Sequence, residues 1–578
     1  MSAQTGKSQK TSVELWELYS NTEQKSEQFM SQKGLRLILP PTIEIDQNEY
    51  VVIDALVEGD PEVFKKELLA LGALHPQSFG PLVSALLPLS AIPKLNASRN
   101  LRQAQASLAK SNSGLTKSNG DISMHSQEVR STFDVNGLGY KIGILSDSYN
   151  TLFGANSGEN SGDLPGPQNP NGFLLPVEIL QELDFVRSDE GRAMAEIIHD
   201  IAPAAQLSFR TGFMGQASFA QGILDLANAG CDIIVDDIIY FSEPFFQDGI
   251  VAQAIDQASA RGIPCFTAVG NYGSSSYESV FRGAGVFDVA DLGTYKLHDF
   301  DPGFDTSIFQ KISLAPGADL ELFLQWDEPF ASACTGCPGS QNDLDFFLFS
   351  EKSLEADKLL FSRIGGNKGS NPVEGILLNN TSSEVNEFYL VIAKVENKDN
   401  PDPDPGFIKY VDFGNISTNH IEFGNNRGTS IGHTNSAEVL SVGASLWYNT
   451  PEFNGQTPIP VINSYSSSGE VPIFFDALGN RLSQPEIRIS PEVIGPDGVN
   501  TTFFSFDSPF DQDNFPNFSG TSAAAPHLAA AAALLMELAD RRLSSQELRE
   551  LFRDSSVDMN DPSTPGFDTG YDFKTGYG

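Results

Sequence analysis

Ser522 lies in Asn517-Phe-Ser-Gly-Thr-Ser-Ala-Ala-Ala-Pro-His-Leu-Ala, where a Gly-Thr-Ser step opens an alanine-rich run that predicts a helix reaching about Arg542. That arrangement puts a hydroxyl at the mouth of a helix. Unpaired amides and the positive dipole end are there to meet an oxyanion formed when the serine attacks a carbonyl. Acyl transfer of this kind also needs a base for the hydroxyl proton and a group that holds the base. Candidate acids stand at three other places: Asp147 closes Lys141-Ile-Gly-Ile-Leu-Ser, Glu190 opens a predicted helix, and Asp236 and Asp237 end the apolar run that starts at Cys231. Read locally, Ser522 is equally a helix cap and Glu190 equally an acid that complements a helix dipole.

The elements that would bring these residues together begin near Tyr140. Strands are predicted at 141–147, 206–210, 231–238 and 263–269, and helices at 191–201, 217–229 and 249–260. Ala193, Met194, Ile197, Ile198 and Ile201 share one face of the first helix. Alternation of this sort predicts an α/β fold, a doubly wound parallel sheet, with its site at the carboxyl ends of the strands. Asp147 and Asn271 both fall at such ends.

The same pattern divides the chain. Residues 1–35 are polar and predicted to be flexible, and 36–105 form a small α+β module with a strand at 51–56, a helix started by Asp60-Pro61, a second apolar run at 82–89 and a polar helix near 99–108. Residues 106–130, rich in Ser, Asn, Gly and Lys, read as an exposed linker and processing zone. An α/β unit then occupies 131–283 and resumes at 427–578. Between them, 284–426 carries short alternating strands such as Asp319-Leu-Glu-Leu-Phe-Leu-Gln-Trp, the pattern of an inserted antiparallel β-sandwich.

Composition limits the partners. The 578 residues carry 36 basic and 75 acidic side chains, a net charge of -39, which argues against nucleic acid or an anionic membrane as partner. No uninterrupted apolar run is long enough to predict a transmembrane segment, and Met1-Ser-Ala-Gln-Thr-Gly-Lys-Ser-Gln-Lys shows no signal peptide, so the compartment stays open. Cys231 and Cys265 read as buried thiols, and Cys334-Thr-Gly-Cys337 as a loop-tip disulfide or plain thiols rather than a metal site.

Gly520-Thr-Ser-Ala-Ala-Ala-Pro-His527 closely resembles the nucleophile motif of the subtilase superfamily of serine peptidases, the subtilisins together with the sedolisins. Ile144-Leu-Ser-Asp147-Ser resembles their aspartate motif, Ala268-Val-Gly-Asn271-Tyr-Gly their oxyanion asparagine motif, and Gly495-Pro-Asp-Gly-Val-Asn500 the loop before the serine. At the base the chain departs from subtilisins: Glu190, in Asp189-Glu-Gly-Arg-Ala-Met-Ala-Glu, occupies the place of their histidine, as in the glutamate-based sedolisins. It departs from sedolisins too, with Met194 where they place a second carboxylate and Asn271 where they place an aspartate.

The resemblance implies a serine endopeptidase acting on proteins or peptides, with Asp147, Glu190 and Ser522 as catalytic residues and Asn271 and the Ser522 amide as oxyanion donors. Asp237 would either select basic residues in the substrate or be a further partner of Glu190. The implied partner of Glu190 is Asp147; two such carboxyls would share one proton and give an activity optimum on the acid side of neutrality. His199 lies on the opposite helix side from Glu190, His527 matches a structural histidine of the motif, and His433 lies in a loop.

By the same resemblance, 36–105 is similar to an inhibitory propeptide and 284–426 to the jelly-roll modules of bacterial subtilases. No cofactor is required; calcium is one the family often binds, and secretion is its usual fate. Subtilases also usually continue a little beyond the point matched by Gly578. The competing expectation is a pseudopeptidase that keeps the fold as a protein-binding scaffold. A glycan at the Asn517-Phe-Ser519 sequon would block the site.

Overall fold

In the computed structural model seven strands run parallel in the order Val493–Asp497, Val439–Leu446, Cys265–Ala268, Ile233–Asp236, Lys141–Ser146, Gln206–Thr211 and Glu178–Gln181. The structure describes residues 10–578 except 21–34, 38–39, 41, 46–47, 108, 111–117, 397–401, 415–418, 426, 506, 510, 512 and 563. The doubly wound α/β sheet follows from side-chain alternation. Ile142 and Ile144 face one core with the helices Glu190–Ile201 and Thr521–Ala539, while Leu145 faces a second core with Gln216–Asn228 and Ile250–Ser259.

The alanines of Thr521–Ala539 let that helix lie close against the sheet, with Ala523, Ala524, Ala525, Ala529 and Ala530 all fully buried. By length and composition it is the one helix among the described residues that could cross a membrane, and most of it is buried in this core. It ends at Ala539, earlier than the alanine run suggests, with Asp540 in the left-handed region at φ 51°.

Two antiparallel sheets come from the chain between the helices Ile250–Ser259 and Thr521–Ala539. One has Ser276–Val280, Asp319–Trp326, Val373–Asn380 and Phe407–Asp412; the other is built around Asn386–Val395. Their facing residues, among them Leu322, Trp326, Ile376, Phe346, Leu390 and Ile392, form one apolar cluster. Ser276–Val280 belongs to this unit although it precedes residue 284. Cys334 and Cys337 are joined in a disulfide beside it, and Cys231 and Cys265 are buried thiols.

The N-terminal module is a sheet ordered Ile43–Ile45, Asn48–Val57, Leu82–Pro88, Leu74–Phe79, with Leu101–Ala106 added to Asn48–Val57. Leu101–Ala106 corrects the helix expected near 99–108. Arg, Gln and Ala are good helix formers, but Leu101, Ala104 and Ala106 are buried against the sheet, and tertiary pairing overrides propensity. Asp60 caps the helix Pro61–Ala70 through Glu62 N at 2.9 Å, as its Asp-Pro start implies. Within the stretch expected to be flexible, Val13–Ser20 is helical and fully buries Leu15; the rest of that stretch up to 34, apart from residues 10–12, lies outside the described residues.

The module touches two other parts of the chain. On the parallel-sheet side, Asp54 and Ser84 accept the Gln216 and Ala217 amides at 3.1 and 3.0 Å, capping the helix Gln216–Asn228 from outside. On the antiparallel side, Glu14 pairs with Arg363, whose Nε also meets Glu374 at 3.1 Å, Arg102 donates to Gly369 O at 3.1 Å, and Leu35–Leu37 adds a strand to Val373–Asn380.

The zone 106–130 is not simply an exposed linker. Ala109–Lys110 pairs antiparallel with Ile239–Tyr240, which starts two residues after Asp237. Residues 111–117 lie outside the described residues. Ser118 is then buried, its amide 2.7 Å from Asp200 Oδ2 and its hydroxyl against His527, and two helices, Gly120–Ser123 and Ser126–Phe133, follow.

Candidate active site

Asp147, Glu190, Asp237, Asn271 and Ser522 all stand at the carboxyl ends of the parallel strands or at the starts of the helices facing that edge. Asp147 follows Lys141–Ser146. Its Oδ1 accepts the Glu190 amide at 3.0 Å, and its Oδ2 accepts the Ser188 amide at 2.9 Å. Burial pushes its pKa up against the pull of the Ser188 and Ser148 hydrogen bonds. Asp147 therefore holds Glu190 by its main chain and occupies the N-terminal end of the helix Glu190–Ile201.

The turn into that helix is under strain. Asp189 sits at φ 59°, in the left-handed region that a non-glycine residue rarely adopts, immediately before Glu190. Hydrogen bonds hold it there: its carboxylate accepts the Thr151 amide at 2.8 Å and the Leu152 amide at 3.0 Å, and pairs with Arg192 at 2.9 Å. These outweigh its burial and hold its pKa below the usual aspartate range. Gly191 follows of necessity, because a Cβ there would lie 2.3 Å from the Phe209 ring and 2.9 Å from Ser148 O. The helix start can approach the sheet only without a side chain at that position.

The carboxyl that meets the Glu190 side chain is Asp237. Both side chains are buried, and Glu190 and Ser146 lie near enough to bear on the Asp237 carboxyl, whose two oxygens have no hydrogen-bond partner among the described residues. No N–H donor reaches either Asp237 oxygen, so two ionised acids would leave that contact without a hydrogen; a proton on one of them supplies it. Burial, and then the charges of Asp147 and Asp236, raise the Asp237 pKa well above the usual aspartate value. Of the two outcomes open for Asp237 in the sequence, substrate contact or partner of Glu190, its burial beside Glu190 favours the second. Asp147, also expected beside Glu190, reaches it through the Glu190 backbone amide.

Ser522 is the second residue of the helix Thr521–Ala539 and is 4% exposed. Asn271 Oδ1 accepts the Thr521 amide at 2.9 Å and the Thr521 hydroxyl at 3.1 Å, and Gly270 N donates to Thr521 Oγ1 at 3.0 Å. With its oxygen tied down, the Asn271 amide presents Nδ2 at the Gly520–Ser522 turn, 3.0 Å from where a Cβ on Gly520 would lie. Gly520 itself, at φ 121°, needs glycine. Replacing Asn271 by alanine is expected to lower kcat about 10²- to 10³-fold with little change in KM, read from steady-state cleavage of a peptide substrate.

Sequence reasoning passed over several contributors. Asp497, inside the quoted Gly495-Pro-Asp-Gly motif, is fully buried and accepts the Gly520 amide at 2.7 Å and Asn463 Nδ2 at 3.0 Å, with the Tyr465 hydroxyl also against it. It thereby fixes the turn into Ser522, while burial raises its pKa to about 6. Asn517 Nδ2 is spent on Gly498 O at 3.1 Å and Asn500 Oδ1 at 2.7 Å inside the fold, so the sequon nitrogen is turned away from glycosylation. His199 is buried on Asn169, and His527 faces Ala523 O at 2.7 Å, neither at the carboxyl pair. Among the described residues no group of three or more His, Cys, Asp or Glu side chains could hold a metal ion.

Residues 388–578 match the Subtilase family. No curated protein matches the chain. Among solved structures, the CspB protease of Clostridium perfringens is 13% identical with a TM-score of 0.45, over 80% of this chain and 97% of that one. Fervidolysin of Fervidobacterium pennivorans, a keratinolytic enzyme related to subtilisin, is 11% identical with a TM-score of 0.39, over 94% of this chain and 62% of that one. The epidermin leader peptide processing serine protease of Staphylococcus aureus is 10% identical with a TM-score of 0.39, over 92% of this chain and 96% of that one.

Proposed function

We propose that this chain, a subtilase over its matched C-terminal segment, is a serine endopeptidase that works through an acyl-enzyme on Ser522 with Glu190 as general base. The observation that carries this reading is the buried Glu190–Asp237 carboxyl contact at the same sheet edge as the Ser522 turn. A pair sharing one proton keeps Glu190 ionised, and so able to accept, while Asp237 donates the shared proton to it.

Ser522 Oγ bonds to the scissile carbonyl carbon as its hydrogen passes to Glu190. The carbonyl oxygen takes the negative charge between Asn271 Nδ2 and the Ser522 amide. On collapse the C–N bond breaks and the proton on Glu190 goes to the leaving amine. Water then bonds to the acyl carbon as its proton passes to Glu190, the C–O bond to Ser522 breaks, and that proton returns to Ser522 Oγ as the acid leaves. Asp147 keeps Glu190 in place through the backbone amide, and Asp189 holds the strained turn.

The N-terminal module with the segment that follows it fits the role of an intramolecular inhibitor, since Ala109–Lys110 lies as a strand on the segment after Asp237, where a peptide substrate would pair. A fluorophosphonate probe applied across a pH series is expected to label the full-length protein, or its processed form, at Ser522, located by peptide mass. Labelling at no pH, with fold intact, would leave the scaffold reading in its place.

A further inference from the structure

His433 is fully buried and faces carboxylates on both sides. Its Nδ1 lies 2.9 and 3.0 Å from the two Glu243 oxygens, and its Nε2 lies 3.1 Å from Asp236 Oδ1. Its backbone amide also donates to Glu243 Oε2 at 3.0 Å. Carboxylate oxygens only accept, so a ring placed between two of them must donate from both nitrogens, which only the imidazolium does. Also at the ring are the Thr267 hydroxyl, 3.2 Å from Nε2 and 2.8 Å from Asp236 Oδ1, and the edge of Phe219, 5.2 Å between ring centres. Burial opposes the charge, but Glu243 and Asp236 outweigh it and push the imidazole up to about 10. Gly432 admits the contact, at φ 62°, where a Cβ would lie 2.8 Å from the Glu243 side chain.

The two carboxylates are the ends of one short piece of chain. Asp236 ends the strand Ile233–Asp236, and Glu243 follows Ile239–Tyr240, its amide donating to Tyr240 O at 3.0 Å. Between them lie Asp237, which meets Glu190, and the edge that pairs with Ala109–Lys110. The Tyr240 hydroxyl ties the middle down by donating to Gly212 O at 2.5 Å and accepting the Gly215 amide at 2.9 Å. His433 comes from 190 residues beyond Glu243, after the antiparallel unit, so the bridge also joins the two pieces of the parallel-sheet unit.

We propose that His433, as a cation shared by Asp236 and Glu243, is a positioning residue that clips both ends of segment 236–243, keeping the Asp237 carboxyl and the peptide-pairing edge in place together. Its catalytic consequence rests on the peptidase reading above; the clip itself does not. It acts at the site without touching substrate. A buried cation between two acids is also demanding: neutralising it leaves one of the two carboxylates facing a ring nitrogen that no longer donates, which loosens the segment rather than merely removing a contact.

The test compares Ser522→Ala with Ser522→Ala/His433→Gln as full-length chains, which prevents self-cleavage. The imidazole ¹⁵N resonances missing from the double variant identify His433, and they are expected to show a doubly protonated ring through pH 8. Hydrogen exchange of 236–243 is expected to be at least tenfold faster in the double variant, while the helix Thr521–Ala539 stays protected. A neutral ring at pH 7, or unchanged exchange in that segment, overturns the clip. In the Ser522 background, His433→Gln is expected to cost at least tenfold in kcat/KM on an internal peptide; equality with the parent would overturn the positioning role. If the parent neither cleaves nor labels, the peptidase reading fails, and ring protonation and exchange still decide the clip.

Discussion

Ser522→Ala is expected to leave the protein at full length and unreactive, with residual peptide hydrolysis down by about 10⁶-fold in kcat. The size of the effect comes from the covalent step. Without the hydroxyl no acyl-enzyme forms, and what survives is the contribution of the oxyanion donors and of binding alone. Fold should be unaffected, because the Ser522 turn is held from outside by Asp497 on Gly520 and Asn271 on Thr521, and the methyl of alanine fits among its neighbours Ala523 to Ala525. Intact mass after prolonged incubation gives the decisive comparison. The parent should shorten itself between 106 and 130, the variant should not, and cleavage in both would assign the cut to another peptidase.

Glu190→Gln is expected to lower kcat about 10²- to 10⁴-fold, the usual worth of a positioned base, with labelling of Ser522 slowed in parallel. Asp237→Asn should behave differently. An amide there donates to Glu190 as the protonated acid does, so activity survives at acid pH, but its dependence on pH changes. In the parent, Asp237 has a raised pKa because of burial and neighbouring acids, so the shared proton is present at low pH and leaves as pH climbs through that raised value. Activity should then fall on the alkaline side. With asparagine there is no such proton to lose and the alkaline limb should disappear.

Stability carries the same sign. A buried acid whose folded pKa exceeds its unfolded one stabilises fully below the unfolded value and loses that contribution as pH rises through the folded one. Asp237→Asn should therefore make the melting temperature less sensitive to pH between the ordinary carboxylate range and the raised value. Equal pH–rate profiles for parent and Asp237→Asn would remove the shared-proton mechanism.

Much of this placement was legible in the residues. Alternating strands and helices from 140 onward are enough to put Asp147 and Asn271 at strand ends on one edge of a parallel sheet, and the Gly-Thr-Ser helix start with its motif resemblance adds Ser522. Less legible was anything decided by partners far away in the chain. Asp237 could not be assigned between substrate and Glu190, because nothing local says which way a strand-end acid turns. His433 looked like a loop residue because its two carboxylates are supplied by a segment nearly two hundred positions earlier. Leu101–Ala106 looked helical because Arg, Gln and Ala favour helices, and only the neighbouring Asn48–Val57 strand overrides that preference. In the polar stretch 106–130, burial of Ser118 depends on His527 and Asp200, which composition does not register.

The N-terminal module grips two independent platforms, the helix beginning at Gln216 and the antiparallel unit around Arg363. Were the connection between 106 and 130 cut, the freed fragment would remain a bivalent ligand of the body it came from. Each grip, while it lasts, returns the other to its seat, so escape waits for both to open at once. Disabling only one grip should speed departure modestly, and disabling both should speed it by far more than either alone. The lag before full activity would then be governed by the antiparallel unit as much as by the cleft.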